Sequence, residues 1–170
     1  MNELNLPEST ANGQARTQAL DLRHRPEVAP TSLVSFLSHG RVLVIGDEAR
    51  ALSAAGRLGG DLVATLFCPA ETRPASAVVD GLTVVRGGKP QLSGSLGSYR
   101  LSLAESEHDP EAPAVALLTQ ARFDLVLDLG DAPWLMQEVP PPGYYAPRGD
   151  EAALERALEE LPEMRGEFEK

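Results

Sequence analysis

The chain predicts an α/β fold, Rossmann-like, in three layers: a mostly parallel sheet with an antiparallel hairpin added, so that the sheet is mixed. Three observations carry this reading. Arg41–Asp47 (RVLVIGD) and Phe123–Leu129 (FDLVLDL) are apolar runs without alternation, the pattern of strands buried on both faces. Between Arg41 and Phe67 the order strand, helix, strand fits a βαβ unit. The third is Leu82–Leu103, a hairpin around Gly-rich turns in which Tyr99, Leu101 and Leu103 alternate with Arg100 and Ser102, as a half-exposed antiparallel strand would.

In chain order, residues 1–30 are polar and read as a flexible leader without an apolar core. Thr31 or Ser32 is a candidate N-cap for a short helix through Leu33, Val34, Phe36 and Leu37, with Gly40 as its stop. After the first buried strand, Ala51, Leu52, Ala55 and Leu58 recur at helical spacing over Glu48–Leu58. Gly59-Gly60 breaks that helix and Leu62–Phe67 forms the second strand. Leu82–Arg86 is a short strand, Gly87–Pro90 a turn, and Leu92–Leu103 its return. Ala112–Ala121 is helical, with Pro113 tolerated in the first turn. The third strand, Phe123–Leu129, leads into residues 131–149, where five prolines favour stiff, extended backbone. Asp150 caps a last helix that places Leu154, Ala157, Leu158 and Leu161 on one face and stops at Pro162. The α/β domain is thus expected over 31–162, and 163–170 reads as the start of a linker.

Composition excludes several classes of function. The 170 residues hold 25 acids and 15 bases, a formal charge of −10, which is the wrong sign for electrostatic binding of nucleic acid. The charge is asymmetric: residues 1–100 hold nine acids and ten bases, residues 101–170 sixteen and five. An acidic half is most simply a solvated surface, and in a functional reading it is a face for a basic partner. The longest apolar runs fall far short of the ~20 residues of a membrane helix, so no membrane insertion is expected. A single cysteine, Cys68, makes the reducing cytoplasm the expected compartment. One thiol builds no disulfide and no cysteine-ligated cluster, and behind a buried strand it reads as packing.

Three places are candidates for function. The turn Gly46-Asp47-Glu48-Ala49-Arg50-Ala51 stands where a dinucleotide fold carries G-x-G-x-x-G, with only Gly46 retained. Asp47 and Glu48 place two negative charges where a phosphate would sit, and they suit a helix N-terminus without any ligand. At the end of the third strand, Asp128 and Asp131 face the same crevice, where ligands of open α/β sheets bind. Gly46, Asp47, Asp128 and Asp131 are therefore the cofactor-binding candidates. Their alternative reading is a polar strand end and helix caps. The third place is the Pro-rich loop, with Trp134, Met136, Tyr144 and Tyr145 as partner-binding candidates, since rigid Pro and amphipathic aromatics make good contact surfaces. The plainer reading is that Trp134, Leu135 and Met136 plug the open end of the core. No catalytic motif stands out: His24, His39 and His108 have no partner at metal-ligand spacing, and no G-x-S-x-G elbow occurs.

Phe123–Leu129, Pro133-Trp134-Leu135-Met136 and Pro140-Pro141-Pro142-Gly143-Tyr144-Tyr145 together resemble the N-terminal region of proteobacterial 4Fe–4S ferredoxin-type iron–sulfur proteins of the formate dehydrogenase-associated type. The resemblance extends over most of residues 20–170. It implies a non-catalytic docking or scaffold domain of an electron-transfer protein whose 4Fe–4S clusters lie in ferredoxin modules beyond this chain. Those modules, another redox protein, or formate dehydrogenase subunits are the implied partners. With Cys68 alone, the chain departs from the family in carrying no cluster ligand set, and no cofactor is expected within it.

Overall fold

In a computed structural model the chain divides into two units, Met1–Val34 and Ser35–Lys170. The structure describes residues 11, 14 and 15, all helical, and then 35–59, 61–103, 113–135, 137 and 139–169. The rest of the expected leader, the expected cap at Thr31 or Ser32, His24, His108 and Met136 lie outside the described residues.

The second unit is α/β, built on a mixed sheet of mostly parallel strands. Its centre is β2 (Arg41–Ile45), hydrogen-bonded in parallel to β3 (Val63–Cys68) on one side and β8 (Leu125–Asp128) on the other. β5 (Leu82–Gly88) continues in parallel beyond β3, and β4 (Ala70–Val79) closes that edge antiparallel to β5. The two-residue β9 (Tyr144–Tyr145) is the parallel strand at the opposite edge, giving the order β4-β5-β3-β2-β8-β9. Two small antiparallel pairs stand apart: β6 (Pro90–Ser93) with β7 (Arg100–Leu103), and β1 (Ser35–Ser38) with β10 (Gly166–Glu169).

The central strands read as unbroken apolar runs because each face meets its own core. Val42, Val44, Leu66, Val84, Leu125 and Leu127 pack with Ala51, Ala54 and Ala55 of α1 (Glu48–Arg57) and Ala157, Leu158 and Leu161 of α3 (Glu151–Glu163). Their neighbours Leu43, Ile45, Phe67, Val85 and Val126 face the other way. There they meet Ala114, Val115 and Leu118 of α2 (Pro113–Thr119) and Leu92, Leu101 and Leu103 of the β6–β7 pair. Burial on both faces thus explains the missing polar alternation.

Elsewhere the sequence reading needs correction. Of the expected helix, Phe36 and Leu37 lie instead in strand β1, and residues 32–34 lie outside the described residues. Four apolar residues are too few to nucleate a helix, and residues 166–169, expected as the start of a linker, supply a pairing partner. Leu82–Arg86 does not fold back onto Leu92–Leu103. Its antiparallel partner is β4, through a turn at Asp80 (φ 50°) and Gly81 (φ 80°), both left-handed as a two-residue hairpin requires. The final helix includes Pro162 in its last turn. Among the described residues no helix is long and apolar enough to cross a membrane.

Candidate functional site

The parallel strands bring Gly46 and Asp128 to adjacent strand ends, since Ile45 pairs with Asp128. The chain order places the fold's switch in direction here, with β3 and β5 on one side of β2 and β8 and β9 on the other. What occupies this crevice is Leu129. A Cβ built on Gly46 would lie 2.9 Å from Leu129 Cβ, so the missing side chain makes room for core packing. The Gly46 amide donates to Phe67 O at 3.1 Å and so closes the strand end further.

Asp128 is fully buried and engaged by its own loop. Its Oδ1 accepts from the Gly130 amide at 3.0 Å, and its Oδ2 accepts from the Trp134 amide at 2.9 Å and the Tyr144 hydroxyl at 2.5 Å. The Tyr144 oxygen in turn accepts from the Leu135 amide at 3.3 Å. Burying a carboxylate costs several kcal/mol unless donors replace water, and charge-assisted bonds return about 1.5–3 kcal/mol each. This carboxylate acts as the pin of the Gly130–Leu135 turn. Burial, then the bond to Asp128, pushes the Tyr144 hydroxyl up from its ordinary value.

The other two acidic candidates lie at the surface. Asp47 is the N-cap of α1, accepting from the Arg50 amide at 3.1 Å, and Asp131 is exposed. Beside them Arg86 grips Glu48 through two bonds, Nε to Oε2 at 2.6 Å and Nη2 to Oε1 at 2.5 Å. Arg86 holds the Glu48 carboxyl below its ordinary value. Cys68, the register partner of Arg86, is 8% exposed, and burial pushes its thiol up, with Glu48 adding to the effect. That is the environment of an inert packing cysteine. A cavity of about 320 Å³ lies between α1 and α3 over Leu129, bordered by Arg50, Ser53, Arg57 and Glu151.

The Pro-rich loop is where the aromatic candidates separate. Trp134 is half-buried against the core on the α2 side, and its Nε1 would lie 3.3 Å from a Cβ on Gly130. Tyr144 points into the same core. Tyr145, the next residue in an extended strand, points to the opposite face. It borders a groove of about 220 Å³ between β9 and α3, with Pro147, Ala153, Arg156 and Glu160. Burial, followed by the Glu160 charge, pushes its hydroxyl up to about 12. Gly143 (φ 80°) allows the approach to β8, for a Cβ there would meet Leu96 at 2.8 Å and Leu125 at 3.1 Å.

Two residues escaped sequence reasoning. Tyr99, read as part of a half-exposed strand, is fully buried, and its hydroxyl donates to Pro142 O at 2.7 Å, anchoring the proline run. Asp124 is fully buried at the start of β8, and its Oδ2 accepts from the amides of His39 at 3.0 Å and Arg41 at 2.9 Å. A charged residue inside the apolar run Phe123–Leu129 was the available signal. For Tyr99 no local signal exists, because its partner lies 43 residues away.

Among the described residues no group of three or more His, Cys, Asp or Glu is placed to hold a metal ion. No protein-family model, curated protein or solved structure matches the chain.

Proposed function

We propose that the chain is a non-catalytic docking domain, Rossmann-like in its layered architecture, from the front of a cytoplasmic, multi-domain 4Fe–4S electron-transfer protein of the formate dehydrogenase-associated type. The clusters belong to modules outside this chain. Cys68, buried and protonated, does not fit as a cluster ligand, and no redox step passes through these residues.

The observation that supports docking is the groove between β9 and α3. Tyr145 and Arg156 border it, two of the three residue types enriched at interface hot spots, with Pro147 as a stiff wall. Glu160 borders the groove and Glu159 and Glu163 belong to the same helix, so the groove suits a partner with a basic rim. The partner is a ferredoxin module, another redox protein, or a formate dehydrogenase subunit. Tyr145→Ala and Arg156→Ala are expected to weaken binding to purified ferredoxin modules or formate dehydrogenase subunits about tenfold or more. Association should slow as salt is raised. Val139→Ser, at a residue 76% exposed and outside the groove, serves as the control. Unchanged affinity in both groove variants would sink the assignment. Trp134 and Tyr144 test it less well, because both also hold the loop together.

The cavity between α1 and α3 favours a second reading, a small-molecule or nucleotide-binding domain. Arg50 offers a cationic group in the first turn of α1, and Arg57, which is bonded to Glu155, a second at its far end. A clear rise in melting temperature with NAD(P), FAD or ATP would select this reading over docking.

A further inference from the structure

Among the described residues the sheet's other edge ends in a strand with one pairing side unused. β4 pairs with β5 alone among the described residues and ends the six-stranded order. From Pro74 to Val79 it carries no charged residue, although 24% of the chain is charged. Ala75, Ser76 and Ala77 are exposed, and Val78 is 74% exposed. Soluble proteins usually guard such an edge with lysine, with bulges or with a covering element. β4 is irregular between Ala70 and Ala75, and its pairing is regular from Ala75 to Val79.

The register shows which backbone groups are free. Val79 pairs with Leu82 across the two-residue turn at Asp80-Gly81. In such a hairpin the pair flanking the turn exchanges hydrogen bonds, and bonded and non-bonded pairs alternate from there. Ala75, Ala77 and Val79 therefore direct their N–H and C=O groups to β5. Ser76 and Val78 direct theirs away from the sheet. Pro74 lies in the irregular stretch before Ala75 and has no register partner, a position where a missing N–H is tolerated.

We propose that β4 is a self-association edge: two copies of this chain join antiparallel about a two-fold axis at Ala77. Ser76 of each copy then lies opposite Val78 of the other, and these pairs exchange four backbone hydrogen bonds, continuing the sheet across the axis. The occupant is a second copy because the edge is self-complementary at this register. At this register Ala77 meets itself, Ser76 meets Val78 and Ala75 meets Val79, so no charged side chain is brought into the pairing. Pro74–Val79 offers only small or apolar residues and one hydroxyl, and Ala77 lets the strands close at the axis. Each copy carries −10, so association strengthens as salt rises, opposite to the expected behaviour of the docking groove.

The test is disulfide capture. At the axis Ala77 faces its symmetry mate as a non-bonded pair, with Cα atoms about 4.5 Å apart, within disulfide reach. Ala77→Cys should give covalent dimers under mild oxidation at least tenfold faster than Val63→Cys, whose site is 63% exposed and distant in the sheet order. Cys68 is common to both variants. Adding Ser76→Pro to Ala77→Cys removes an outward donor and should abolish capture while the far-UV dichroism is kept. Val78→Lys in the same background serves where the proline variant does not fold. Equal capture at positions 63 and 77, or capture undiminished by both blocking changes, overturns the proposal.

Discussion

Leu129 and Gly46 face each other across two strand ends that are 83 positions apart in the chain, and each is explained only by the other. A glycine closing a buried strand was visible in the sequence. Its purpose was not, because the residue that needs the space comes from β8. Gly46→Ala would set a Cβ 2.9 Å from Leu129 Cβ, a distance that packing does not tolerate without backbone movement. We expect a loss of about 1–3 kcal/mol, read from urea unfolding. Combining it with Leu129→Gly, which removes that Cβ, should recover part of that loss, since the two changes share one contact. Strict additivity would mean that glycine serves something other than Leu129. Asp128 illustrates the same point for a charged group. The sequence placed it at the crevice, yet both of its oxygens are occupied by the turn that follows.

At the scale of elements, legibility follows the range of the interactions. β2, β3, β8 and α1 could be read because their signals are local: a run of apolar residues or a helical repeat of Ala and Leu. β1, β4 and the true partner of β5 could not, since each is defined by a neighbour that the local pattern does not name. β4 in particular is rich in Ala, Pro, Ser and Thr and carries no strand signal before its last two valines. Helix α3 was legible down to its cap. Asp150 accepts from the amides of Ala152 at 2.9 Å and Ala153 at 3.2 Å through one carboxylate oxygen. Losing both by Asp150→Ala should cost about 1 kcal/mol in urea unfolding. Asp150→Asn should cost less, because an amide oxygen still caps. Because α3 forms one wall of the groove, the alanine variant should also weaken partner binding. An Asp150→Ala chain as stable as the parent would show that packing of Leu158 and Leu161 alone holds this helix start.

For the molecule as a whole, the three tyrosines join the sheet's two faces to the proline loop. Tyr99 and Tyr144 sit in the core on the α2 side and Tyr145 packs against the α1–α3 core. In all three, burial is the first cause holding the hydroxyl above its ordinary value of 10.0, and for Tyr145 the result is about 12. The folded chain thus keeps these protons more tightly than the unfolded chain does. The stability this represents is fully present below pH 10 and is lost as pH rises through 12. Phenolate absorbance should therefore stay flat past pH 10 and then rise together with the loss of far-UV dichroism, in one transition. The coincidence follows from where the hydroxyls are tied. Ionising Tyr144 sets a phenolate against the Asp128 carboxylate, and ionising Tyr99 removes the donor from Pro142, so both charges arise where the loop is fastened. Tyr145, beside the groove, should be the first to ionise, and Tyr145→Phe should shift the transition to higher pH. Phenolate appearing near pH 10 while the dichroism stays native would mean that the loop opens without the sheet, and the groove would then have no fixed wall at β9.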